Sequence, residues 1–395
     1  MNSLKKFIYM DYAATTPLKK EVLEKMLPFF VEKFGNPSTI YEFGQESRRA
    51  IDGSRRDISD FLGCAPKEVI FTGSGTESVN LALRGVVEAY KDTGKHIVTL
   101  KTEHQAVLHT CEYLEKNGYT VTYLDVEKDG LLNLEKLKSA IRPDTILVSI
   151  MYANNEIGVI QDIQKIGEFL EEIRKKDSLL PLFHTDACQA VGFLDVNVRN
   201  LKVDLMSFNA GKIYGPKGVG ALCIKKGVRM IPQIQGGGQE YRMRAGTENV
   251  AAIVGMGEAL KLVMAEKDTE CARLKQLRDL LIEGIEKNIP KVYLNGHRTK
   301  RLPNNVNFSF EGIEGETILL RLDMEGICVS SGSACTSGTV DPSHVLLSIG
   351  VPYEIAHGSV RFSLGKDTTR EEVIFVIEKM KEVVADMRSI SPLYQ

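Results

Sequence analysis

Nothing in this sequence marks a secreted or membrane-bound protein. It has no run of about 18 apolar residues, and its start, "MNSLKKFIYMDYAATTP", lacks an apolar signal core followed by a cleavage site. Cysteine is sparse and unpatterned. The thiols at positions 64, 111, 188, 223, 271, 328 and 335 are odd in number and include no C-x-x-C pair. That excludes a disulfide framework and a paired-cysteine metal site and points to a reducing compartment. Charge of one sign is missing as well: 50 Lys+Arg stand against 52 Asp+Glu, a formal net charge of -2. Such a balance gives no field that would gather nucleic acid or an acidic membrane. Pro- and Gly-rich linkers, low-complexity tracts and repeats are also missing. The expectation is a soluble, cytoplasmic protein with small-molecule or protein partners.

What is present is a large core. A chain of 395 residues, 43% hydrophobic and 26% charged, is long enough for two domains. Short β-branched runs, "EVIFT", "HIVTL", "TVTYL", "TILVSIM", "PLFHTDA" and "DLMSF", alternate with helical stretches such as "ESVNLALRGVVEAYKDTG", which Gly94 should stop. This pattern predicts an α/β fold, a mainly parallel sheet with helices on both faces. Near residue 260 the character changes. A long charged helix is expected from about Ala259 to Asn288, followed by "VNFSF", "ICVSSGSAC", "SVRFSL" and a last helix from about Thr369. This second part reads as a smaller α+β domain, closely packed on the first because no linker separates them.

In open α/β sheets ligands sit beyond the carboxyl ends of the strands, so the residues following each strand carry the functional signal. After "EVIFT" comes Gly73-Ser74-Gly75-Thr76-Glu77, opening a helix. Free backbone N–H groups there make an anion cup. No P-loop and no full G-x-G-x-x-G is present, so the bound group should be a single phosphate. His104, Asn154-Asn155 and Asp186 to Gln189 follow the next strands, and Lys212 stands in "SFNAGKIYGPKG". Taken singly, a histidine at a helix start, an asparagine pair in a turn, an aspartate cap or a surface lysine is ordinary. Together they are the parts that hold an aromatic aldehyde bearing a phosphate, which is pyridoxal phosphate. Lys212 would form its Schiff base, Asp186 would pair with the pyridinium nitrogen, His104 would stack on the ring and Gln189 would bond its phenolic oxygen. "SSGSACTSG" surrounds Cys335 with small residues, as suits an exposed loop and a thiol nucleophile, whereas Cys328 in "GICVS" reads as core. Arg361, in mid-strand, needs a carboxylate, supplied either by an internal Asp or Glu or by a substrate.

From "YMDYAATTP" and "FGNPST" through "FTGSGTES", "TEHQAV", "NNEIG", "HTDACQA", "KIYGPKG", "GGGQEYRMRAGTENV" and "SSGSACTSG" to "SVRFSLG", the whole chain resembles the NifS/IscS-type cysteine desulfurases of the class-V aminotransferases. The resemblance implies the pyridoxal-phosphate-dependent type I aminotransferase fold, with a seven-stranded sheet in a large domain at 16–258. Residues 1–15 and 259–395 would form a small domain carrying a cysteine loop at about 328–342. It implies conversion of L-cysteine to L-alanine, with sulfur passing to Cys335 as a persulfide. Lys212, Cys335 and His104 would be the catalytic residues. Gly75, Thr76, His104, Asn155, Asp186, Gln189, Asn209, Gly211, Lys212 and Thr247 would surround the cofactor, Asn155 and Arg361 the substrate, and no metal is called for. Thr247 would reach the cofactor phosphate of a neighbouring subunit, which makes a homodimer the expected state. The sulfur acceptor would be an iron-sulfur scaffold of the NifU or IscU kind or a tRNA-thiolation carrier. The chain stops at "SPLYQ", without the longer tail that some relatives use to dock a scaffold, so the acceptor stays open. A C–S lyase, a selenocysteine lyase or a binding protein without catalysis are the alternatives.

One departure stands beside the lysine. Relatives usually carry Ser or Thr, then Ala, then His before it, and both polar side chains donate to the phosphate. Here those places hold Asn209 and Gly211. The loss of a charge-assisted donor predicts weaker cofactor retention unless another group replaces it.

Overall fold

The computed structural model describes residues 7–174, 178–331, 341–392 and 394. In chain order its strands are β1 Ile8–Tyr9, β2 Val69–Thr72, β3 His96–Leu100, β4 Thr120–Leu124, β5 Thr145–Ser149, β6 Leu182–Asp186, β7 Leu205–Asn209, β8 Gly220–Ile224, β9 Val292–Leu294, β10 Asn305–Phe310, β11 Ile327–Cys328 and β12 Ser359–Ser363. Seven of them form one sheet in the order β2-β8-β7-β6-β5-β3-β4. Only β8 runs antiparallel to its neighbours. Strands β3, β5, β6 and β8 are buried at every position, so they read as continuous apolar runs rather than alternating ones. β4 lies at an edge and is correspondingly more exposed. Separate apolar cores cover the two faces. One is built around Val98, Val148, Phe183 and Met206, the other around Ile97, Leu147, Leu182 and Leu205.

A second, antiparallel sheet, β12-β10-β9, has its own core with Met10, Leu281, Ile285, Phe308, Phe362 and Val376. The two-residue strands β1 and β11 pair in parallel beside it. The small sheet thus has a core apart from the two on the faces of the large sheet, but the division is not clean. Val345, Leu346, Ile349 and Ala356, late in the chain, pack into the core of the large sheet.

Two helix boundaries differ from the sequence reading. The long helix spans Val250–Asn288, starting well before Ala259, with the Asn249 side chain capping the Ala252 N–H. Its first turns, "VAAIVGMGEA", are buried nearly all round and show no polar face, so periodicity hides them. Gly255 and Gly257 let this buried part lie against Met26, Pro216 and Ser54, where a Cβ would come within about 3 Å. The helix Gly75–Ala89 stops short of Gly94 because the chain turns at Tyr90, whose carbonyl accepts from both Thr93 and Gly94. Cys328, expected in the core, is half-buried on the short strand β11.

Candidate active site

The carboxyl ends of β2, β3, β5, β6 and β7 open on one side of the large sheet. There they line a cavity of about 590 Å³. Ser74, Gly75, Thr76, His104, Asn155, Asp186, Gln189, Asn209, Gly211, Lys212 and Arg361 all contribute to its wall. The sequence-predicted residues thus come together with two exceptions. Thr247 sits exposed on a surface loop away from this cavity, and Cys335 lies outside the described residues.

Local structure fixes each group. Ser74 caps the helix Gly75–Ala89 by accepting from the Glu77 N–H at 3.0 Å, so the first turn presents its remaining N–H groups to the cavity. Gly75 is needed by contact: a Cβ there would meet Cys188 Sγ at 2.7 Å and Asn209 Nδ2 at 3.0 Å. His104 caps the helix Gln105–Lys116, its Nδ1 accepting from the Ala106 N–H at 3.0 Å. An acceptor Nδ1 places the proton of the neutral ring on Nε2. Asp186, 6% exposed at the end of β6, accepts from the Cys188 N–H at 2.9 Å. Burial beside that carboxylate pushes the Cys188 thiol well up, so it stays protonated. Gln189 donates to the Ala13 carbonyl at 2.9 Å.

Lys212 ends the tight turn Ala210–Lys212 that follows β7. Its Nζ donates to the carbonyls of Ala13 at 2.8 Å and Ala14 at 2.5 Å, both on the segment that leaves β1. Lys217, another wall residue, donates to the Thr16 carbonyl at 2.8 Å. Arg361, in mid-β12, is buried. It bonds the Asn155 carbonyl at 2.9 Å and pairs with Asp11 at 2.7 Å, so the internal carboxylate is present.

Several groups at the site carry no sequence signal of their own. Glu156 is buried, and its carboxyl is pushed up to about 7 by burial, against the pull of the Ser343 hydroxyl and the Arg361 charge. Asn305 and Asn307 of β10 both donate to its carbonyl, tying the small sheet to the turn after β5. Glu103 takes the Met151 N–H at 2.6 Å, and complete burial pushes its carboxyl well above the usual carboxylate range. His344 meets the Glu103 carbonyl at 2.9 Å and lines the wall. The bidentate pair Arg55–Glu240 anchors the loop that carries Thr247. Each of these contacts joins residues more than 100 positions apart except Glu103–Met151, and no local pattern announces them.

The wall fits pyridoxal phosphate on its own terms. A buried carboxylate facing a cavity favours a cation, a helix N-terminus favours an anion, and Lys212 lines the same wall.

The pattern of the "Aminotransferase class-V" family matches residues 8–376. The chain belongs to the class-V aminotransferases. This family's cofactor is pyridoxal phosphate. The chain is 54% identical over 99% of its length to "Cysteine desulfurase IscS" of Dictyoglomus turgidum, covering 98% of that protein. It is 53% identical over 98% of its length to "Cysteine desulfurase IscS" of Methanosarcina thermophila, covering 94% of that protein. Among solved structures, a "NIFS-LIKE PROTEIN" superposes with a TM-score of 0.89 at 36% identity, over 96% of this chain and 100% of that one. In this class-V aminotransferase Lys212, Asp186, His104 and Gln189 stand around one cavity.

Proposed function

We infer that this chain is a pyridoxal-phosphate-dependent cysteine desulfurase, converting L-cysteine to L-alanine and passing the sulfur to an acceptor protein. The observation that carries the reading is the single cavity on which Lys212, Asp186, His104, Gln189, Arg361 and the helix start at Gly75 converge. When bound, the cofactor supplies an electron sink for the pair left at Cα when an amino acid loses its Cα proton. Gly75, Thr76 and the Asn209 amide would hold the phosphate, Asp186 would pair with the ring nitrogen, and Gln189 and Asn155 would hold the ring oxygen side. Lys212 would be the amine that retains the cofactor at rest and afterwards moves the Cα proton. His104 would stack on the ring and offer Nε2 for a proton on or off a thiol. Arg361 binds the substrate carboxylate. The thiolate of Cys335 attacks the substrate sulfur, so that one Cβ–S bond breaks, one S–S bond forms, and cysteine leaves as alanine.

The division into domains at 16–258 and at 1–15 with 259–395, the latter carrying the cysteine loop, is supported by the separate core of the small sheet, although Val345, Leu346, Ile349 and Ala356 pack into the core of the large one. A homodimer is supported by two features. Thr247 is exposed and does not line its own cavity, and Phe30, Val31, Phe34 and Ile40 form an exposed apolar group that a monomer would leave wet. A single-chain mass in sedimentation at micromolar concentration would overturn it. For the acceptor, an iron-sulfur scaffold protein of the NifU or IscU kind is the first expectation and a tRNA-thiolation carrier the second. Cytoplasmic placement is supported by six described cysteines that are all free thiols. Among the described residues no helix is long and apolar enough to cross a membrane, and no cluster could hold a metal.

The test quantifies alanine against pyruvate from L-cysteine and a reductant, with Cys335→Ala alongside. Alanine equal to sulfide and lost in the variant supports the desulfurase. Pyruvate that persists in the variant would instead make the chain a C–S lyase.

A further inference from the structure

Arg361 already has a counter-ion before any substrate arrives. Its Nη2 donates to Asp11 Oδ1 at 2.7 Å and its Nη1 to the Asn155 carbonyl at 2.9 Å. The arginine side chain is 3% exposed, whereas that of Asp11 is 18% exposed. The arginine Nε is buried and has no hydrogen-bond partner among the described residues. A guanidinium so enclosed needs a negative neighbour, yet one of its strongest donors is left unused. Arg361 also lines the cavity, so a carboxylate arriving there would meet the same guanidinium that Asp11 pairs with.

We propose that Asp11 sets the affinity of the site, as an exchangeable counter-ion that competes with the amino-acid carboxylate for Arg361. The proposal rests on Arg361 as the substrate-carboxylate group. A carboxylate entering the cavity to meet Arg361 either displaces Asp11 or shares the guanidinium with it. In both cases the negative charge of Asp11 opposes the incoming one. Asp11 thereby weakens the hold on L-cysteine and speeds the departure of L-alanine, and it keeps the buried cation neutralised between turnovers. Its partial exposure is what lets it let go: solvent can take up the released carboxylate, as it could not for a fully buried one.

The experiment titrates the cofactor-loaded protein with L-alanine, read by the change in cofactor absorbance, in the native chain, Asp11→Asn, Asp11→Ser and Arg361→Gln. Asparagine keeps the shape and the oxygen that accepts from Nη2, so it removes the charge while leaving Arg361 in place. L-alanine is expected to bind Asp11→Asn on the order of tenfold more tightly, with KM for L-cysteine falling by a similar factor and kcat not rising. Asp11→Ser should tighten binding in the same direction, which keeps the test alive if one variant folds poorly. A role in merely propping Arg361 would weaken L-alanine binding in both. Unchanged or weaker binding in both Asp11 variants, with Arg361→Gln weakening it, overturns the competition and leaves Arg361 as the carboxylate site. Binding that Arg361→Gln does not affect overturns the Arg361 reading, and the role of Asp11 with it.

Discussion

Replacing Gly211 by histidine should tighten cofactor binding, because a Cβ fits at this position on the cavity wall and an imidazole there would add a phosphate donor. A Cβ at Gly211 would meet only Asn209 Oδ1 at 3.4 Å and Lys217 Cγ at 3.8 Å within 4 Å, which are ordinary contacts, and the backbone is not left-handed. The position lines the cavity between Asn209 and Lys212. An imidazolium donor to a phosphate contributes about 1.5–3 kcal/mol, from which ordering the ring removes about 0.5–1 kcal/mol. The net gain of about 1–2 kcal/mol corresponds to a dissociation constant about 5- to 30-fold lower. Equilibrium dialysis of the stripped protein against pyridoxal phosphate measures it, with far-ultraviolet circular dichroism checking that the variant folds. A folded Gly211→His protein whose affinity is unchanged or weaker would refute the reasoning. In that case Lys217 or another donor already occupies the phosphate, and the glycine has cost nothing.

Two further outcomes follow from buried charges. The Glu156 carboxyl sits near 7 in the folded chain against an ordinary 4.5, so between those values the unfolded chain binds fewer protons. Stability from this group therefore falls as pH rises through that window, by about 3 kcal/mol in all. Glu156→Gln should gain that much relative to the native chain between pH 5 and pH 8 in urea unfolding, and a pH-independent difference would contradict it. Arg55→Ala strands Glu240, which bonds Arg55 at 2.9 and 2.6 Å and the Phe71 N–H at 2.8 Å in a buried setting. It should cost about 3–5 kcal/mol by denaturant titration, and a loss below about 1 kcal/mol would mean that water reaches the pair.

The large sheet was legible because burial on both faces writes the same message at every position of a strand. "HIVTL", "TILVS" and "LFHTD" are buried throughout, and they fall where their β-branched runs stand. The same logic failed for the first turns of the helix Val250–Asn288. There burial on all sides erased the amphipathic period that signals a helix, and only the Asn249 cap remained as a clue. The turn at Tyr90 was missed for a different reason: Gly94 is a strong local stop signal, but the chain had already left the helix when it reached it.

The site divides along the same line. Residues that follow a strand, such as Asp186, His104 and Lys212, could be read because position in the chain predicts position at the sheet edge. Residues that arrive from another layer could not. Asp11 comes from the segment after β1, Ser343 from the stretch before the helix His344–Ser348, and Asn307 from β10, and each meets its partner across more than 100 residues of sequence. These are the contacts that decide charge at the site: Asp11 neutralises Arg361, while Ser343 and Arg361 bear on whether Glu156 carries a proton. The sequence thus names groups that line the cavity at the sheet edge. The counter-ion of Arg361 comes from the segment after β1, and Asp11 became visible as that partner only once the layers were brought together.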